Sequence, residues 1–121
     1  MKGYTIVGSI KAAMRGLIYA FQRERNFRVE TYVAVVIIGA LFGLHASLIH
    51  STIIVTMIFL VFMIELMNTA IERVVDILKP QKHPYAGVIK DVSAASVLVL
   101  SIGASIVGVM IFVPLIIAAI K

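Results

Sequence analysis

The chain contains no cysteine, which rules out a disulfide framework, thiolate metal sites and dithiol redox chemistry. Charge is scarce as well. Six acidic and eleven basic side chains among 121 residues make 14% charged against 61% hydrophobic, too few to cover the surface of a water-soluble domain. No charged side chain falls in the 34 residues between Glu30 and Glu65, and none falls in residues 92–120. The start of the chain lacks the short apolar core and small-residue cleavage site of a signal peptide, so none is expected. Gly-x-x-x-x-Gly-Lys-Ser/Thr is absent, as is the motif set of soluble protein kinases. The net charge of +5 does not point to nucleic acid, because the bases flank apolar runs and form no patch interleaved with aromatics.

What is present reads as one all-α integral-membrane domain over residues 1–121. Over about residues 9–27, Ile10, Ala13, Met14, Leu17, Ile18 and Phe21 recur on one side, with Lys11, Arg15, Gln22 and Arg25 mostly on the other. That period is an amphipathic helix, and its basic face favours lying on an anionic membrane surface. A bilayer crossing takes about 20 apolar residues. The first uncharged run therefore holds one span at about 31–48 and most of a second at about 51–78, with a turn where His45, Ser47, His50 and Ser51 cluster. Gly39 and Gly43 on the first span form a pair that lets a neighbouring helix come close. Two prolines and a glycine break the pattern over 79–87, and a third span follows at about 92–118, rich in small residues. Six of the eleven bases precede Val29, four lie in 73–90 and none in the turn between the first two spans. The positive-inside rule then predicts a cytoplasmic N-terminus and a C-terminus outside. All six acids fall in the cytoplasmic half.

Four polar residues interrupt the second span. Glu65, Asn68, Glu72 and Asp76 lie at offsets of 0, +3, +7 and +11, which is one stripe of a helix. Stacked carboxylates repel one another and are costly to desolvate at membrane depth, so a cation or basic side chains are expected to face them. These acids, one amide, and Lys90 beside Asp91 are the parts of a site for a divalent cation and a polyphosphate. Glu65 lies deepest, where a carboxylate could take the proton of a lipid hydroxyl. A small proton-coupled multidrug transporter also places a carboxylate in the membrane. It would show one dominant acid in a bundle of about four spans, however, and not a stripe running into the headgroups.

The run Glu65-x-x-Asn68-Thr69-Ala70-Ile71-Glu72-x-x-Val75-Asp76 resembles the signature of the small bacterial membrane lipid kinases, the diacylglycerol and undecaprenol kinase family. Lys90-Asp91-x-x-Ala94-Ala95-x-Val97 is similar to its second motif, and Glu24-Arg25-Asn26-Phe27-Arg28 to the end of its surface helix. The resemblance spans about residues 9–114. It implies a homotrimer of three-span protomers in the bacterial cytoplasmic membrane, each with a surface helix, whose active sites are shared between neighbours. It further implies Glu65 as catalytic base, Glu24 and Glu72 as Mg²⁺ ligands that also contact ATP, and His83, Lys90 and Asp91 at the nucleotide. Asn68 would orient groups near the reacting phosphate, with Glu30 and Asp76 as supporting acids. Glu24-Arg25-Asn26-Phe27 and His83-Pro84 resemble the undecaprenol kinase branch, whereas Glu30 resembles the diacylglycerol kinase branch. Two positions depart from the family: Ala12 stands where an aromatic residue, often Tyr, is common, and some members carry an arginine near the position of Thr5.

Overall fold

A computed structural model describes residues 5–78 and 83–121, which form four helices in chain order: α1 (Ile6–Arg23), α2 (Arg25–Gly43), α3 (Leu48–Ile77) and α4 (Ala86–Ile120). Helices α2, α3 and α4 are each long and apolar enough to cross a membrane. No strand occurs among the described residues.

The predicted surface helix is present but shifted. It starts at Ile6, where the Thr5 hydroxyl accepts from the Gly8 N–H at 3.1 Å, and it ends at Arg23 instead of near Phe27. The break is a single residue. Glu24 adopts an extended backbone (φ −108°, ψ 110°) between α1 and α2. Two devices satisfy the carbonyls that α1 leaves open at this point. The Glu24 N–H donates to the Ala20 carbonyl at 2.8 Å, and the Arg28 Nη1 donates to the carbonyls of Phe21 and Gln22, each at 2.9 Å. Amphipathic periodicity runs through Glu24, so the pattern alone could not place the corner.

α2 ends in a Schellman motif: the His45 N–H donates to the Phe42 carbonyl and the Ala46 N–H to the Leu41 carbonyl. His45 takes the left-handed position (φ 52°) that glycine usually fills, a strain of about 1 kcal/mol. The Ser47 hydroxyl then caps α3 by accepting from the His50 N–H at 3.2 Å. At the other end of α3 the predicted break over 79–87 lies partly outside the described residues. α4 begins at Ala86, six residues ahead of the predicted span, so Lys90 and Asp91 are helical. The charge pattern marks where the apolar run begins, and a helix tolerates charge before that point.

Leu41, Ile54 and Ile111 form a buried core cluster from α2, α3 and α4, with Ile37, Ile58 and Val107 packed on it. Phe27 at the start of α2 packs on Phe62 of α3, with ring centroids 5.3 Å apart. The hydroxyls of Thr31, Thr52, Thr56, Ser96 and Ser105 each donate to the carbonyl four residues earlier, which keeps them satisfied at membrane depth. Much of the apolar surface faces outward, including Val36, Val99 and Met110, which are 71%, 70% and 70% exposed. At Gly39 and Gly43 no atom of another described element lies within 4 Å of where a side chain would begin, so neither glycine serves a close approach among the described residues.

Candidate functional site: a polar ladder on α3

The polar stripe of α3 descends from exposed to buried. The Asp76 side chain is 45% exposed, Asn68 and Glu72 are half-buried, and Glu65 is 2% exposed. Eleven residues of helix put about 16 Å between its ends. Thr69 and Val75 are also buried on α3, and they seat it against its neighbours.

The ladder is held from α4 and from α1 with its corner. From α4, the Ser93 hydroxyl donates to Asn68 Oδ1 at 2.7 Å, and Asn68 Nδ2 donates to Glu72 Oε1 at 3.3 Å. The amide is thereby fixed from both sides, with its oxygen toward α4 and its nitrogen toward Glu72. Lys90 Nζ, also on α4, donates to Asp76 Oδ1 at 2.9 Å. Arg73 draws in α1 and the corner: its Nε donates to the Tyr19 hydroxyl at 2.9 Å, its Nη2 to Glu24 Oε1, and its Nη1 to Asp76 Oδ2 at 3.4 Å. Tyr19, Glu24, Arg73, Asp76 and Lys90 thus form one continuous chain of polar contacts across α1, α3 and α4.

Below this chain the carboxylates are less compensated. Glu24, Glu30 and Glu72 all lie near enough to Glu65 for their charges to act on it. Oε2 of Glu65 and Oε2 of Glu30 are buried with no hydrogen-bond partner among the described residues. Two apolar grooves open between the helices, and one of them is lined by an acid. One, of about 450 Å³, lies between α2, α3 and α4 and reaches Glu30. The other, of about 820 Å³, lies beneath α1 against α2 and α3 and is lined by Leu17, Phe21, Phe27, Phe62, Met63 and Leu66, among others.

Seven of the residues singled out from the sequence come together here: Glu24, Glu30, Glu65, Asn68, Glu72, Asp76 and Lys90. His83 and Asp91 make no hydrogen bond or ion pair with this group among the described residues. Both are exposed, and His83 Nδ1 accepts from the Tyr85 N–H at 3.3 Å. No three His, Asp or Glu side chains among the described residues converge tightly enough to hold a metal unaided. Tyr19, Arg73 and Ser93 belong to the cluster and carried no expectation. For Arg73 the signal was there: stacked acids call for a positive group, and it is the one base within their run.

Comparison with known proteins identifies relatives of the whole chain. A family profile described as prokaryotic diacylglycerol kinase matches residues 11–112. A diacylglycerol kinase of Synechocystis sp. is 39% identical over 107 residues, which is 88% of this chain and 61% of that protein. An undecaprenol kinase of Bacillus subtilis is 36% identical over 84% of this chain and 83% of its own length. A diacylglycerol kinase of Haemophilus influenzae is 34% identical over 78% and 80% respectively.

Proposed function

The chain belongs to the prokaryotic diacylglycerol kinase family, phosphotransferases with an alcohol acceptor, and from that premise we propose that it moves the γ-phosphoryl group of ATP directly onto the primary hydroxyl of a membrane lipid. The acceptor we favour is undecaprenol, giving undecaprenyl phosphate. Diacylglycerol, giving phosphatidic acid, is the second reading, favoured by the 39% identity to a kinase of that name and by Glu30.

The observation that carries the reading is Glu65, buried at the foot of the ladder with a carboxylate oxygen that lacks a partner among the described residues. In this role Glu65 accepts the proton of the acceptor hydroxyl as its oxygen bonds to the γ-phosphorus and the bond to the ADP oxygen breaks. No phosphoenzyme forms. The groove beneath α1 gives an apolar chain room beside Leu66 and Met67, which lie between Glu65 and Asn68 in the chain. Asn68, held by Ser93 and donating to Glu72, fixes the geometry around the reacting phosphate.

Mg²⁺ is commonly held by one or two carboxylates with substrate phosphates completing its shell, and the donor chemistry of Glu24 and Glu72 fits that pattern. When bound, it supplies charge neutralisation on the triphosphate. In this reading Lys90, held by Asp76, neutralises phosphate charge, and Asp91 and His83 make the outer nucleotide contacts. Membership of the family supports a homotrimer whose neighbouring protomers complete each site. The basic N-terminal segment and the 73–90 region support a cytoplasmic site, with the C-terminus outside.

The test is transfer from labelled ATP in micelles, with undecaprenol and diacylglycerol side by side. The expected result is faster transfer to undecaprenol, with Glu65→Gln lowering kcat by about 10²- to 10⁴-fold. Full activity in Glu65→Gln would remove the assignment of the base.

A further inference from the structure

Arg73 takes no part in the reaction as proposed, yet it makes more polar contacts than any other described side chain of the cluster. Its guanidinium donates to Tyr19 on α1, to Glu24 at the corner and to Asp76 on α3. Among the described residues, Glu24 alone of the two proposed cation ligands already holds a positive group: its side chain is 18% exposed and its Oε1 faces Arg73 Nη2. Among the same residues Glu72 receives only the neutral Asn68 amide. A guanidinium and a divalent cation seek the same carboxylate oxygens, and one displaces the other.

We propose that Arg73 is a positioning residue that competes with the divalent cation for Glu24: it holds the carboxylate in place while the site is empty of cation and must give it up for the site to load. The proposal rests on the reading of Glu24 as a cation ligand. The geometry provides for the exchange. Released from Glu24, Arg73 keeps its bond to Tyr19 at 2.9 Å and lies 3.4 Å from Asp76, so its charge remains compensated as the cation enters. Asp76 also holds Lys90 at 2.9 Å, so a shift of Arg73 toward Asp76 would reach Lys90 on α4. Without Arg73, Glu24 would keep the repulsion of Glu65 and lose its side-chain partner among the described residues. The planar fork of arginine, with donors pointing three ways, suits the task where a single ammonium group would not.

Competition makes a prediction opposite in sign to structural damage. A residue needed only for packing would, when lost, weaken cation binding; a competitor, when lost, strengthens it. The experiment titrates the Mn²⁺ complex of a non-hydrolysable ATP analogue, followed by electron paramagnetic resonance, into the full chain in micelles, comparing wild type, Arg73→Gln, Glu24→Gln and the double variant. Folding is checked by gel filtration. Arg73→Gln is expected to tighten Mn²⁺ binding by about fivefold, the scale of an exposed ion pair. Glu24→Gln is expected to weaken binding and to abolish the gain from Arg73→Gln, because the effect runs through that carboxylate. Unchanged or weaker binding in Arg73→Gln overturns the proposal. So does a gain that persists in the Glu24→Gln background, since that is only the removal of a distant positive charge. Wild-type Mn²⁺ binding in Glu24→Gln alone would instead overturn the reading of Glu24 as a ligand. If Arg73→Gln does not fold, Tyr19→Phe decides: it loosens the guanidinium with every charge retained, and a gain of about twofold is expected where no change refutes the competition.

Discussion

Asn68 owes its orientation to Ser93, a residue that neither motif specifies. An amide can face either way, and here the Ser93 hydroxyl at 2.7 Å fixes the oxygen and leaves the nitrogen for Glu72. Ser93→Ala removes one half-buried neutral hydrogen bond, worth about 1 kcal/mol, and lets the amide turn. The expected outcome is a kcat about fivefold to tenfold lower with the lipid KM within about twofold, read from steady-state transfer in micelles. At this scale the sequence was partly legible. Offsets along one helix reveal neighbours on that helix, so Glu65, Asn68, Glu72 and Asp76 could be grouped before any fold was known. Tyr19 and Ser93 could not be, because they stand 54 residues from Arg73 and 25 from Asn68, and they approach only once α1 and α4 have docked on α3.

At the scale of the element, the corner at Glu24 is the feature on which the rest of the site depends. A helix running on from α1 into α2 would carry Glu24 away from Arg73. Arg28 prevents this by taking the last carbonyls of α1, at Phe21 and Gln22. Arg28→Ala is expected to cost about 1 kcal/mol, discounted for exposure, and to lower the thermal midpoint by a few degrees in detergent. α1 should also become more open to proteolysis, while α3 and α4 stay protected. The ends of the helices were the least legible part of the chain. Hydropathy marks where apolar residues begin, and so it set the third span at residue 92, whereas the helix that carries Lys90 starts at Ala86. At His45 a residue other than glycine fills the left-handed position, which hid the point where α2 ends.

At the scale of the whole molecule, the number of crossings and their order were legible because the charge-free runs have the length of bilayer spans. Assembly was not, since outward apolar faces look the same whether they meet lipid or another protomer. Native mass spectrometry is expected to show three chains per particle. The absence of cysteine makes the orientation directly testable. Single cysteines at Lys11 and at Lys121, probed with an impermeant maleimide on intact cells, are expected to react only at Lys121. Reaction at both or at neither would remove the proposed topology.

α3 and α4, with 30 and 35 residues, run about 45 and 52 Å, well beyond the roughly 30 Å of hydrocarbon in a bilayer. On the proposed reading the ladder straddles a phase boundary, with one reactant arriving by lateral diffusion in two dimensions and the other from bulk water in three. A catalyst so placed responds to the mole fraction of its alcohol in the surface, not to its bulk molarity. Diluting the mixed micelles with inert detergent at constant total lipid is expected to slow the reaction, while adding buffer at constant nucleotide concentration and micelle composition leaves the rate per enzyme unchanged.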